Sequence, residues 1–239
     1  MPYSFTVITD FDEATAQTIL AIERSTATPG LGRLLWPGLH GIKTPAMVIE
    51  EEKTGSASSS QESLKQGADD REVRDTIDNM KNPNNSYIAM IDDTTNEIVG
   101  YAWWQFNESH SPLQWLTKYN TRSRPKEINV PLADAIGGVR TLKRAIIIGQ
   151  RPWYHLRELY VLSDHREKGL GTRLVDWGLD EARRRGILAY VDAMPKAFNL
   201  YVRCGFTEID RVTVDLELFG GERGQESVFS IMTTETTSS

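Results

Sequence analysis

The run Arg166-Glu167-Lys168-Gly169-Leu170-Gly171-Thr172 has the residue types of a polyanion site. Two glycines let backbone N–H groups approach a ligand closely and converge on it. A helix starting at the second half of the run points the positive end of its dipole at the same place. Arg166 and Lys168 add positive charge, so the loop reads as a phosphate or pyrophosphate cradle. Two other phosphate signatures are absent: no Gly-Lys-Ser/Thr occurs, and a G-x-G-x-x-G fingerprint would need glycine where Leu174 stands. His40, His110, His155 and His165 have no metal-ligand spacing and there is a single cysteine, so no metal is expected. Cys204, beside Gly205, reads as a small core residue rather than a nucleophile, and no G-x-S-x-G elbow exists.

The elements that must position this loop are well signalled. A strand, His155 to Val161, and the turn Leu162-Ser163-Asp164 precede it. Leu170, Leu174, Gly178 and Ala182 then recur every fourth residue, Arg183-Arg184-Arg185 closes the last turn, and Gly186 suits the C′ position of a helix. Earlier in the chain, Tyr3 to Thr9 reads as a strand and Asp12-Glu13-Ala14 opens a helix with Ala16, Ile19, Leu20 and Ile22 on one face. Thr28 to Gly32 breaks that helix. The apolar segment Leu34 to Gly38 is either a lid or a hydrophobic plug on the core edge. Residues 50–69 offer almost nothing apolar and are expected to form a mobile loop. A helix is expected from Asp70 to Met80. Ser86–Ile91 and Ile98–Phe106, joined by a polar turn, form a hairpin. Residues 107–150 read as an insertion, polar and broken by prolines to Ile128, then helical from Leu132 to Ile148 with Arg140, Lys143 and Arg144 on its exposed side. A closing hairpin pairs Glu208–Phe219 with Ser227–Thr233. The pattern is a mixed α/β sheet with no internal repeat.

Three segments carry a family resemblance: Leu159-Tyr160-Val161, then Arg166-x-Lys168-Gly169-x-Gly171, then, about thirty residues on, Leu200-Tyr201-x-x-x-Gly205-Phe206. Together they resemble the GNAT superfamily of acetyl-CoA-dependent N-acetyltransferases. Arg151 to Leu156, Leu174-Val175-Asp176-Trp177-Gly178 and Phe229-Ser230-Ile231-Met232 are similar to its fungal-type members. The resemblance implies an α/β GNAT fold, with a mixed central sheet of about six to seven strands, splayed at the cofactor site and flanked by helices. It implies a single domain over 1–239, with an acetyl-CoA-binding core at 150–232 and the 107–150 insertion near the acceptor cleft. It further implies direct acetyl transfer from acetyl-CoA to a primary amine, here a small molecule.

Site roles follow from the same resemblance. The backbone of Leu159, Tyr160 and Val161 would pair with the pantetheine arm. The backbone of Arg166, Glu167, Lys168, Gly169, Leu170, Gly171 and Thr172 would hold the pyrophosphate. Tyr201 would protonate the departing thiolate, a task for a phenol that stays protonated at neutral pH. Glu158 is the candidate base for the amine, directly or through water, or else the partner of a nearby arginine. Asn199 is close enough to Tyr201 to touch the cofactor. One departure stands out: many relatives carry Ala-Ser-x-x-Gly before the tyrosine, whereas this chain has Ala193-Met194-Pro195-Lys196-Ala197. Two other readings stay open, a non-catalytic acyl-CoA sensor and a protein lysine or N-terminal acetyltransferase.

Bulk properties narrow the classes. A chain of 239 residues, 39% hydrophobic, can bury a core without disulfides. A net charge of -6 gives no global pull toward nucleic acid. No apolar run reaches membrane-spanning length and the N-terminus has no basic, apolar leader, so no membrane partner and a cytoplasmic location are expected. The sequence is silent on oligomeric state.

Overall fold

The structure, a computed structural model, describes residues 2–26, 31–40, 42–54 and 61–234. In chain order the elements are β1 (Tyr3–Val7), α1 (Glu13–Thr26), α2 (Leu31–Leu35), α3 (Pro45–Thr54), α4 (Gln61–Lys81), β2 (Asn85–Asp92) and β3 (Glu97–Asn107). There follow α5 (Pro112–Asn120), α6 (Val130–Ile148), β4 (Trp153–Val161), α7 (Leu170–Arg185), β5 (Leu188–Ala193), α8 (Pro195–Arg203), β6 (Thr207–Asp215) and β7 (Glu226–Thr233). The strands form one seven-stranded sheet in the order β1-β2-β3-β4-β5-β7-β6. Every pairing is antiparallel except β4 with β5, which is parallel.

The apolar runs of β2 and β3 lack clean alternation because helices cover both faces of the sheet. On one face lies α7, whose Leu170, Leu174, Val175 and Leu179 pack on Ile88, Ala102, Trp104, Tyr154 and Leu156. The approach is tight at Gly178, where an added Cβ would sit 1.9 Å from Trp104 Cε2. The Trp104 indole Nε1 in turn donates to the Leu174 carbonyl at 3.3 Å. The opposite face is shared. Ile19 and Ile22 of α1 and Met80 of α4 cover Tyr87, Ala89, Tyr101 and Trp103, while Leu132, Ile136 and Ile148 of α6 cover Tyr190, Val212, Phe229 and Ile231.

Three expectations change. Within 50–69, α3 runs to Thr54 and α4 starts at Gln61, so most of the expected loop is helical; 55–60 lie outside the described residues. That helix packs on the α1 side of the sheet through Val73, Ile77 and Met80, with exposed ion pairs from Arg24 to Asp69 at 2.8 Å and Glu72 at 2.5 Å alongside. The polar start of the insertion contains α5, opened by a capping box between Ser111 and Gln114 with Pro112 in the first turn. Finally, α6 is turned about from the expected orientation. Val139, Leu142 and Ile146 are exposed, whereas Arg144 is buried against Asp192 at 2.6 Å and Lys143 pairs with Asp210 at 2.5 Å. Of the two readings of 34–38, the plug fits, since Leu34 and Leu35 pack on the α6 core.

Candidate active site

Two features of β4 create the site. The first is a splay. β4 pairs with β5 only from Trp153↔Leu188 to Leu156↔Val191, after which Asp192 and Ala193 pair with β7 alone. The following β4 residues, Arg157 to Val161, are therefore hydrogen-bonded on the β3 side only, and their other edge can accept an extended ligand as an added strand. Leu159, Tyr160 and Val161 lie on that edge. The second feature is a β-bulge: Trp103 faces Glu158 and Trp104 faces Leu156, which leaves Arg157 as the extra residue. Leu156 and Leu159 both point to the α7 core, so Arg157 and Glu158 fall in succession on the opposite face, toward α1 and α6.

At the end of β4 the loop turns sharply. Glu167 has φ +60° and Gly169 φ +77°, a conformation that turns successive N–H groups toward a common point. Gly169 caps α7 without a side-chain hydrogen bond, so the first-turn amides of Leu170, Gly171 and Thr172 keep their free donors. Arg166 is placed differently from the expectation. Its backbone N–H donates to the Ser163 carbonyl at 3.2 Å and its Nε to the Val161 carbonyl at 2.9 Å; it braces the loop rather than presenting its amide. Lys168 Nζ donates to the Tyr3 hydroxyl at 3.0 Å and the Asp164 carbonyl at 2.9 Å. Tyr3 lies 3.1 Å from His165 Nδ1, which ties the loop to β1.

Tyr201, on α8, is buried with its ring edge-on to Phe206 at 5.8 Å. Burial, then the Cys204 thiol, push its phenol well above the ordinary range, so it is a proton donor at any neutral pH. Asn199 is exposed on the same helix. The departure at 193–197 is absorbed locally: Met194 occupies the N-cap without a side-chain bond and Pro195 begins the helix, where its fixed φ and missing N–H are tolerated.

On the face toward α1, Glu158 accepts a hydrogen bond from the Tyr101 hydroxyl at 2.8 Å. Burial raises its carboxyl above the usual range, partly offset by Tyr101 and by Arg157. The Tyr160 side chain also turns to this face, against Tyr101 at 5.5 Å and toward the Glu23 carboxyl of α1. Side-chain contact with a cofactor on the α7 side is thus not its role. Glu23, which sequence reasoning missed, is pushed up to about 7 by burial and by the nearby Glu158 and Glu72 carboxylates. Its signal was its place in the stripe Ile19, Ile22, Glu23, Thr26, where an apolar residue belongs. Tyr87 and Trp103, stacked at 5.4 Å, continue the aromatic wall.

A concavity of about 580 Å3 between α3 and α4, lined by Ile49, Lys53, Arg71 and Glu127, contains none of these groups. Among the described residues no cluster of three or more His, Cys, Asp or Glu side chains could hold a metal, and no helix is long and apolar enough to cross a membrane.

Comparison with known proteins bears on the whole arrangement. Solved structures share the fold at low identity. An agmatine N-acetyltransferase mutant in apo form superposes with a TM-score of 0.59 at 15% identity, over 97% of this chain and 99% of that one. Arylalkylamine N-acetyltransferase 2 from Aedes aegypti gives 0.58 at 15% identity, over 98% of each chain. A polyamine N-acetyltransferase of Drosophila melanogaster gives 0.55 at 14%, over 98% of this chain and 100% of that one. An acetyltransferase of Agrobacterium fabrum is 39% identical over 61 residues, which is 25% of this chain and 44% of the relative, so the match spans under half the length of that protein. The profile of the Acetyltransferase (GNAT) family matches residues 57–206, and the splayed β4 edge, the amide cradle of α7 and the tyrosine of α8 all fall within that span. The chain is a transferase enzyme that belongs to the acetyltransferase (GNAT) family.

Proposed function

We propose that the protein transfers an acetyl group from acetyl-CoA directly to the primary amine of a small molecule. The observation that carries this reading is the pairing of the two sides of β4. One side offers a strand edge and a cradle of free amides, and the other a half-buried carboxylate pair, Glu158 and Glu23. The pantetheine arm would lie along Leu159 to Val161, and the pyrophosphate on the amides of Glu167 to Thr172, with Lys168 beside it. Arg166 would shape the loop. Exposed Asn199 would touch the cofactor from α8.

Chemistry would proceed at the splay. The acceptor arrives as an ammonium, and a carboxylate with a raised pKa is a suitable base for it near neutral pH. Glu158 takes the proton, directly or through water, with Glu23 sharing the charge. The amine nitrogen then bonds to the thioester carbonyl carbon, the carbon–sulfur bond breaks, Tyr201 gives its proton to the CoA thiolate, and the second proton that the nitrogen sheds as the amide forms returns to the Tyr201 phenolate by way of solvent. The solved relatives that act on agmatine, polyamines and arylalkylamines support a small amine as acceptor.

The test is CoA thiol release from acetyl-CoA over an amine panel, for the wild type and Tyr201→Phe. The substitution should lower kcat by about 100-fold, within the usual span for a general acid, with acetyl-CoA affinity retained. Equal kcat in both would remove Tyr201 as the acid. Tight CoA binding without release for any amine would favour an acyl-CoA sensor.

A further inference from the structure

On the face of the sheet toward α6, hydrogen-bond donors outnumber acceptors. Asp192 is its one buried carboxylate, and it is already engaged: by Arg144 at 2.6 Å, by the Tyr190 hydroxyl at 2.6 Å and by Arg140 at 4.0 Å. Burial alone would raise its pKa, but Arg144 and Arg140 hold it below the usual value. Around it, Arg140 Nε, Arg144 Nε and Trp153 Nε1 are buried with no acceptor, His155 Nδ1 is buried without a partner, and His155 Nε2 lies 3.9 Å from Asp192. Buried donors are rarely left in this state, since each costs on the order of 1–3 kcal/mol. His155 is kept neutral by burial and by Arg144, Arg157 and Arg140, so it adds no positive charge and offers the donors a single acceptor nitrogen.

The bulge adds a third guanidinium to this face. Arg157 is exposed, stands over the Trp103 ring at 5.2 Å and has no ion pair among the described residues. The carboxylate next to it in sequence, Glu158, is bonded to Tyr101. Three guanidiniums, Arg140, Arg144 and Arg157, thus stand on the α6 side with one carboxylate, Asp192. The acid pair Glu158 and Glu23 lies on the α1 side of the bulge and the cationic group on the α6 side, so the face is dipolar across the width of two residues. The pyrophosphate cradle begins beyond Val161 on the other side of the sheet, so the cosubstrate's phosphates do not answer this surplus.

We infer that the acceptor is an amine that also carries an anionic group, a carboxylate or a phosphate, and that Arg157 binds that group while the amine meets Glu158. The inference deepens the small-amine reading and rests on it. An amine at the acid pair and an anion at the guanidiniums satisfy both poles at once, which a diamine or an arylalkylamine does not.

The test compares acceptors of similar length: 4-aminobutyrate, 2-aminoethyl phosphate, butylamine and putrescine, with wild type, Arg157→Gln and Arg157→Lys. Acetyl-CoA binding is measured in each variant as the check on folding. The wild type should favour an anion-bearing amine over butylamine by about tenfold or more in kcat/KM, and the better of the first two acceptors tells carboxylate from phosphate. In Arg157→Gln that ratio should fall by about 10- to 100-fold, the range for losing one charge-assisted hydrogen bond, with partial retention in Arg157→Lys. A wild type that prefers putrescine or butylamine, or a ratio unmoved in Arg157→Gln, overturns the inference and leaves the small-amine reading standing. Turnover of none of the four amines sinks both.

Discussion

On the α7 side of β4, the groups that face a ligand are main-chain amides drawn from one short run, Glu167 to Thr172, set by two positive-φ residues and one helix start. On the α1 side they are side chains gathered from α1, β3 and β4, namely Glu23, Tyr101, Glu158 and Tyr160. The first side gets its polarity from geometry and is insensitive to pH. The second responds to pH through burial: carboxyls held out of water resist ionisation, which raises both above the usual carboxylate range. One sheet thus carries a permanent anion site and a titratable one, back to back.

The strongest way to break this contrast is Glu158→Gln, which keeps the side-chain shape and removes the carboxylate proposed as the base. We expect kcat to fall by about 100-fold with the dissociation constant of acetyl-CoA nearly unchanged, by stopped-flow turnover and calorimetry. Comparable losses in both quantities would show that the two sides do not act separately. Lys168→Glu attacks the other side. It places a negative charge beside the amide cradle and breaks the bonds to Tyr3 and Asp164, and should weaken CoA binding about tenfold, the size of one lost charge-assisted contact. An unchanged affinity would remove Lys168 from the site. Glu23→Gln has the smallest expected effect and sharpens the comparison. In the wild type kcat/KM should rise with pH through about 7, as Glu23 loses its proton, and in the variant that rise should flatten. The raised pKa also costs stability, fully above about 7 and not at all below the unfolded value of 4.5, where both states are protonated. Glu23→Gln should therefore be more stable than wild type at pH 8, by on the order of 1 kcal/mol once solvent screening is allowed for. The gain should vanish as pH falls toward 4.5. A Tm difference independent of pH would contradict this.

The two sides were not equally legible in the sequence. The cradle is local: glycines, a turn and a helix start are contiguous, and their meaning does not depend on distant residues. The tyrosine of α8 could be read because its spacing to the glycines matches a known pattern. The acceptor side is assembled across more than a hundred residues, from Glu23 to Glu158, and each member has an ordinary explanation alone. Tyr101 reads as core, and the place of Glu23 in an apolar stripe does not say what it faces. The same limit explains α6. Arg140 and Arg144 look like an exposed cationic face until Asp192 is known to be buried opposite them, and a buried carboxylate draws its partners inward. In the first half of α4, residues 61–69, the polar composition spoke for a loop, because the apolar anchors of the helix, Val73, Ile77 and Met80, all lie in the half from Asp70 on that reads as helical.

The bulge at Arg157 has a consequence for how such an enzyme can diversify. Leu156 and Leu159 are fixed to the α7 core, and the two residues between them both project into the acceptor side. They form a cassette, bounded by anchors that belong to the cosubstrate half. Exchange of the doublet alters which molecules are acetylated while the strand phase on either side is preserved. Loss of a single residue there would close the bulge: Leu156 and Leu159 would become i, i+2 neighbours, which share a face, so the strand phase would survive and one side chain of the doublet would go. If 157 and 158 meet the acceptor as proposed, variation in substrate range has two routes that spare the strand on either side, substitution within the doublet and loss of its extra residue.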